Sequence, residues 1–471
     1  MRAVIIGAGK LGYSVARMLS KEHDVYVIEQ QPERASVVEE SLDVRTILGE
    51  WCSPSVQAQV DLASADLVVA ATEVDEINIV ACLAARAGGQ ARTIARVRNP
   101  QYASPGWFGG AALAGIDLIL SPERVSAEEI ARLVTCPEAL GVQYFADGKL
   151  QMLELRVPPH APVVNQTLSR IDFGQVLIAA IQRNEQVLIP RGNDQILAGD
   201  RVFLLARTGE AAPAEALLGQ EVHPIKTVTI LGGGRIGEHL ARQLADYGLS
   251  ITVIEQDRQR CKHLAGALNT VQVLNGDGAD AELLREEGVA NADMFVATTS
   301  DDKLNLLASL VAKDLGARRT VATIRRLEFL HLVERVGVDV VLNPQVISAA
   351  AIQRFLLGPS ELLGIHFMEG ESLQALEFRI SPQCPLAGRK LHQITFPRGS
   401  LVGGLFRTDG SVVLPSGRDA LMPGDRVVVL ALPHTRTAVD KLFTPARTWL
   451  STGSGSGSGH GSGYDSGAKG R

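Results

Sequence analysis

KTVTILGGGRIGEHLARQLADYGLSITVIE, residues 226–255, decides the fold, because residues 2–29, RAVIIGAGKLGYSVARMLSKEHDVYVIE, follow the same pattern. In each copy a β-branched run ends in G-x-G-x-x-G, with Gly7, Gly9 and Gly12 in the first and Gly232, Gly234 and Gly237 in the second. Ala8, Lys10 and Leu11 fill the first loop, and Gly233, Arg235 and Ile236 fill the second. A helix with apolar residues at helical spacing follows, then a strand closing on Glu29 or Glu255. This is the order of a dinucleotide-binding βαβ unit. The first glycine turns the chain, the second admits a pyrophosphate, and the third lets helix and strand pack closely, so that free N–H groups and the positive helix end face the phosphates.

One such loop is weak evidence, since glycine turns between strand and helix are common. Two copies with strand, helix and acid all in place are specific. The acids lie about twenty residues on, where a carboxylate accepts both ribose hydroxyls. A 2′-phosphate about 4 Å from Glu29 would be repelled by on the order of 4 kcal/mol per unit charge at an effective dielectric near 20. NAD(H) or an adenosine phosphate is therefore favoured over NADP(H).

The remaining composition narrows the class. A length of 471 residues predicts several domains, and 46% apolar with 21% charged residues is ordinary for a soluble globular chain. A net charge of −6 gives no basic face for nucleic acid. The five cysteines, Cys52, Cys82, Cys136, Cys261 and Cys384, are scattered without C-x-x-C, which fits core thiols in a reducing cytosol. No apolar run is long enough to span a bilayer, and the N-terminus is itself the first strand, which argues against a signal peptide.

The repeat continues beyond the loops. VRTILGE at 44–50 and VQVLNGDGADAELL at 271–284 carry matched sites, Gly49 with Glu50 and Gly276 with Asp277. Apolar strands follow, ending in Thr72 and Thr299; the next helices set Asn78 opposite Asn305. TIARVRNPQY then carries Arg96 and Arg98, and TVATIRRLEF carries Arg325 and Arg326; Arg98 and Arg325 can meet phosphate or pair with local acids. After a last strand in each half, helices depart from Arg124 and Gln345, placed to dock on a neighbouring repeat or subunit. Small β-rich units follow, sharing G-D-R-V at 199–202 and 424–427.

The predicted fold class is thus α/β: two doubly wound parallel-sheet Rossmann domains, each followed by a small α+β C-terminal domain. The expected boundaries are 1–135, 140–215, 225–357 and 361–446, with a flexible Gly/Ser tail at 451–471.

IIGAGKLG, ARVRNPQY, LGGGRIG, NGDGAD, LVAKDLGA, the paired small domains and the ending KLFTPARTWL together resemble the TrkA family. These are regulatory subunits of Trk potassium-uptake systems, built from tandem regulator-of-potassium-conductance modules. The resemblance covers nearly all of the chain to residue 450 and implies a cytoplasmic homo-oligomer, a tetramer. Such an assembly sits peripherally on a membrane potassium-transporting subunit of the TrkH or TrkG kind and responds to NAD(H) and ATP or ADP. It also implies that Lys10 and Arg235 meet the terminal phosphate of ATP, often across a subunit boundary. An added γ-phosphate needs such a cation, and arginine offers a two-pronged fit. The halves differ: Glu50 and the bulky Trp51 stand where the second half has Asp277, which bears on adenine placement in the first site, and the first loop has Lys10 where the second has Arg235, so the second half is expected to take ATP or ADP more readily and the first NAD(H).

The dinucleotide fold also invites a dehydrogenase reading. Hydride transfer needs a general acid or base beside the nicotinamide. No tyrosine is followed four residues later by lysine, and the histidines lack an acid partner at a strand end. No His, Cys and carboxylate cluster has metal-ligand spacing. A non-enzymatic, nucleotide-gated switch is the expected function, with an assembly scaffold as a further alternative.

Overall fold

In the computed structural model, the residues described are 1–21, 23–60, 62–103, 115–145, 148–184, 186–221, 223–326, 329, 336–356, 362–368 and 373–444. The Gly/Ser tail expected at 451–471 lies outside them. The first half opens with β1 (Arg2–Ile6), α1 (Lys10–Leu19), β2 (Asp24–Glu29), α2 (Pro32–Ser41), β3 (Arg45–Leu48) and α3 (Pro54–Val60). It continues through β4 (Leu67–Ala70), α4 (Asp75–Gly88), β5 (Arg92–Arg96), β6 (Leu118–Leu120) and α5 (Pro122–Thr135). The strands form a sheet in the order β3-β2-β1-β4-β5-β6, every described pairing parallel. Order reverses at β1, so the crevice at its carboxyl end is where the glycine loop must lie.

A small antiparallel sheet follows: β7 (Gly141–Phe145), β8 (Leu150–Arg156), β9 (Val176–Arg183), β10 (Gln186–Leu188) and β11 (Arg201–Arg207), with α6 (Ala212–Leu217) leading out. The second half repeats both parts. Its parallel sheet holds β12 (Thr227–Leu231), β13 (Ser250–Glu255), β14 (Gln272–Asn275), β15 (Met294–Ala297), β16 (Arg319–Thr323) and β17 (Val340–Leu342), in the order β14-β13-β12-β15-β16-β17. Its helices are α7 (Arg235–Leu244), α8 (Arg258–Ala267), α9 (Ala281–Glu286), α10 (Asp302–Leu315) and α11 (Pro344–Leu356). Last come β18 (Leu362–Met368), β19 (Leu373–Arg379), β20 (Ser400–Phe406), β21 (Val412–Val413), β22 (Arg426–Ala431) and α12 (Arg436–Phe443). Among the described residues no helix is long and apolar enough to cross a membrane.

The small sheets share a core. Leu150, Met152, Phe203 and Leu205 of one pack with Leu373, Ala375, Val428 and Leu430 of the other. The alternate residues Leu153, Leu155, Val202 and Leu204, or Leu376, Phe378, Val427 and Val429, fill each domain's own interior. Burial on both faces explains the unbroken apolar runs RVFLLA and RVVVLA. The repeated G-D-R-V has a structural task. Gly199 and Gly424 hold φ of 85° and 90°, and the buried Asp200 and Asp425 pair with Arg183 at 2.7 Å and Arg407 at 2.5 Å.

The two halves exchange helices. Ser121 caps α5 and Asn343 caps α11, each with proline at the first helical position. α5 leaves the first sheet and packs on α7 of the second half, while α11 packs back on α1 and on α5. Ile352 of α11 is buried in the first half's core with Leu11, Val15 and Leu19. Equivalent arginines fasten the ends. Arg92 donates to the carbonyls of Phe355 and Leu356 and lies over the Phe355 ring, and the buried Arg319 donates to the carbonyl of Ala139 just beyond α5. The neighbour expected for the departing helices is therefore the other repeat of the same chain.

Candidate functional site

Both glycine loops are shaped by close approach. Gly7 and Gly232 have φ of 95° and 97°, and a Cβ on either would press on the backbone of Thr72 or Thr299 at 3.0–3.1 Å. A Cβ on Gly12 or Gly237 would overlap the carbonyl oxygen of Gly7 or Gly232. Gly9 and Gly234 begin α1 and α7 without a side-chain cap; the space beside Gly234 is open, and beside Gly9 only the Arg34 Nη1 comes within 4 Å of where a Cβ would be. The turning, admitting and packing roles thus fall on the three glycines in the order the motif requires.

The acids are engaged with the backbone of their own loops. Glu29, 5% exposed, accepts the Ala8 N–H at 2.6 Å through one oxygen and those of Gln30 and Gln31 at 2.8 and 2.9 Å through the other. Glu255 accepts from Gly233 at 2.8 Å and from Asp257 at 2.9 Å. Each carboxylate braces its own loop. Glu255, less buried than Glu29, also lines the open cleft, whereas Glu29 lies beneath its loop.

The strand ends beside the loops are organised by buried amides. Asn78 accepts from the Thr72 N–H at 2.9 Å and donates to the carbonyls of Thr72 and Arg96. Asn305 does the same for Thr299 and for the Thr323 carbonyl. Both are fully buried with these bonds made, so the Thr72 and Thr299 turns are fixed supports for the glycine loops.

The exchange of helices brings both loops onto one cleft of about 1110 Å³. That exceeds the usual ~300–1,000 Å³ of a small-molecule site. Of the residues singled out by sequence, Ala8, Gly9, Lys10, Leu11, Gly232, Gly234, Arg235, Ile236, Glu255, Gly276, Thr299 and Arg325 line it. Lys10 and Arg235 are exposed there, and neither has an ion-pair partner among the described residues. Gly7, Gly12, Glu29, Thr72, Gly233 and Gly237 support the loops from behind.

Four residues do not face the cleft. Gly49, with φ of 151°, is a tight turn under Val56, and Glu50 is exposed away from the lining. Asp277 turns its carboxylate to the Ala279 N–H at 2.9 Å. Arg98 pairs with Asp75 at 3.6 Å, so of the alternatives left open for it the local acid prevails. Arg325 keeps its place at the cleft, donating to the Ser300 carbonyl at 3.3 Å. Trp51 is partly buried against the first half's core.

Sequence reasoning missed Tyr13, Arg34, Glu73, Glu123 and Gly278, which also line the cleft. The second glycine of NGDGAD was a usable signal, since a Cβ on Gly278 would overlap Leu231. His239, on α7, is half-buried beside Glu123 and Arg124 of α5, and burial pushes its imidazole below the usual value.

Comparison with known proteins agrees with this architecture. A family model described as the TrkA-N domain matches residues 3–122 and 228–344, and one described as the TrkA-C domain matches 152–219 and 375–444. The Trk system potassium uptake protein TrkA homolog 2 of Methanosarcina mazei is 34% identical over 452 residues, 94% of this chain and 100% of that one. The Trk system potassium uptake protein TrkA of Haemophilus influenzae is 29% identical over 462 residues, 95% and 99% of the two chains. Among solved structures, the GsuK RCK domain superposes with a TM-score of 0.59 at 20% identity, covering 94% of each chain. The GsuK channel bound to NAD gives the same score over 94% of this chain and 78% of that one.

Proposed function

From a chain that belongs to the TrkA family of Trk-system potassium-uptake proteins, we propose a nucleotide-sensing regulatory subunit that gates a membrane potassium-transporting partner. The observation that carries this reading is the cleft shared by the two glycine loops, lined by residues of both halves. Adenine nucleotides are the ligands: NAD(H), as the GsuK channel is described as binding NAD, and ATP or ADP. Their diphosphate lies over Gly9 or Gly234 against the first N–H groups of α1 or α7. The γ-phosphate of ATP reaches Arg235 or Lys10, and Arg325 stands on the same wall. The chain assembles as a tetramer on the cytoplasmic face of the membrane through its partner. It acts by linkage, without catalysis.

A nucleotide can shift a gate only by its difference in affinity for two arrangements of the protein. Moving an equilibrium from 1:99 to 99:1 takes about 5.5 kcal/mol, which several sites can share at roughly 1–2 kcal/mol each. α5 and α11 are the elements such a difference acts through, since each belongs to one half by sequence and packs on the other. Calorimetry of the purified chain with ATP, ADP, NADH and NADPH tests the reading. Saturable binding of at least one adenine nucleotide without turnover is expected, and Arg235→Ala should erase any preference for ATP over ADP. A chain that binds none of them, or that oxidises NADH at a useful rate, overturns it.

A further inference from the structure

The two halves differ at one contact beside the glycine loop. Each carries an arginine five residues past the acid that ends the second strand, Arg34 after Glu29 and Arg260 after Glu255. Arg260 is fastened down: its Nε donates to the Gly233 carbonyl at 2.7 Å and its Nη2 to Glu238 at 2.8 Å. Glu238 immediately follows Gly237; the residue that immediately follows Gly12 is Tyr13, whose hydroxyl goes to Ser41. With no carboxylate there, Arg34 lies instead with its Nη1 3.9 Å from where a Cβ of Gly9 would be, on the side left open for a diphosphate. Its ion pair is with Glu73 at 3.6 Å, with side chains 41% and 69% exposed, and an exposed pair of this kind contributes little.

We propose that Arg34 holds ligand in the first half, leaving Glu73 to grip the diphosphate of an adenine nucleotide or dinucleotide from above Gly9. The inference rests on the reading of the loops as nucleotide sites. Glu29 in this half is buried and accepts three backbone N–H groups, so the group beside the open loop is a planar cation with a fork of donors. In the second half the equivalent guanidinium is spent on protein groups, and the ligand meets Arg235 and Arg325 instead.

The test uses the full chain carrying Gly234→Val, since the space beside Gly234 is open and a branched side chain there obstructs the second loop without displacing a neighbour. Calorimetry with ADP and with NADH then reads the first half. Adding Arg34→Ala should weaken both ligands by about tenfold or more, the usual weight of a charge-assisted hydrogen bond. Arg34→Lys should recover only part of it. Tyr13→Glu, which offers Arg34 the clamp that holds Arg260, should weaken binding as much as Arg34→Ala while leaving the arginine in place. Affinities within about twofold of the parent for both Arg34→Ala and Tyr13→Glu overturn the assignment, because a phosphate-gripping guanidinium cannot be that dispensable. Absence of ADP and NADH binding in Gly234→Val itself overturns the more basic reading of the first loop as a nucleotide site.

Discussion

A methyl group on Gly237 would lie only 2.0 Å from the Gly232 carbonyl oxygen, and one on Gly12 only 1.8 Å from that of Gly7. Gly237→Ala should therefore cost about 2–4 kcal/mol, as overpacking against rigid backbone does, measured by urea unfolding. Gly234→Ala, with open space beside it, should cost no more than about 1 kcal/mol. His239 supplies a pH signature. Burial lowers its folded value, so the folded state disfavours the proton. The stability this gives is fully present above the ordinary value of 6.5 and is lost as pH falls through the folded value. His239→Gln should flatten the stability profile just below pH 6.5, and an unchanged slope would place the titration elsewhere. Among the thiols, Cys82 is buried and pushed up to about 12, whereas Cys52 is exposed; a maleimide should label Cys52 and leave Cys82 untouched until the chain unfolds.

At the scale of elements, α5 and α11 carry the union of the halves, and Arg92 holds the end of α11 through two carbonyls that the helix itself cannot satisfy. Arg92→Ala should cost about 1.5–3 kcal/mol, the range for hydrogen bonds made by a charged group, and should raise amide exchange in 344–356 before it raises exchange in β1. Each element was legible in sequence because its signal is local: glycine spacing for the loops, helical apolar periodicity for α4 and α10, an acid at the close of β2 and β13. Where those elements meet was not. The packing of α5 on α7 joins residues about a hundred apart in the chain, with no periodicity to announce it. The divergence of Arg98 from Arg325 is of the same kind, as both residues follow a like strand and their backbone N–H groups bond like aspartates, Asp75 and Asp302. Only the cleft geometry separates them. The bracing of the loops by Glu29 and Glu255 was hidden for another reason, since a carboxylate at that position can serve ribose or backbone equally well.

Taken whole, the molecule is two like halves folded face to face, joined by exchanged helices and by the core between the small sheets. Leu205 sits where a Cβ on Gly403 would meet it at 2.5 Å, so the two sheets fit closely there. Segments 1–221 and 223–444, produced separately and mixed, are expected to form a one-to-one complex by light scattering. Leu205→Asp should weaken that complex by placing a charge in a dry interface.

Between β11, which ends at Arg207, and β12, which starts at Thr227, the chain has only α6 and short connections. A tether of that length confines each half near the other at an effective concentration of about millimolar, equivalent to roughly 4 kcal/mol of association. The contact surfaces of the halves are thereby relieved of the need to find one another in solution. α5 and α11 then meet partners that are never far away, so the exchanged packing re-forms after a local opening without a search through solution.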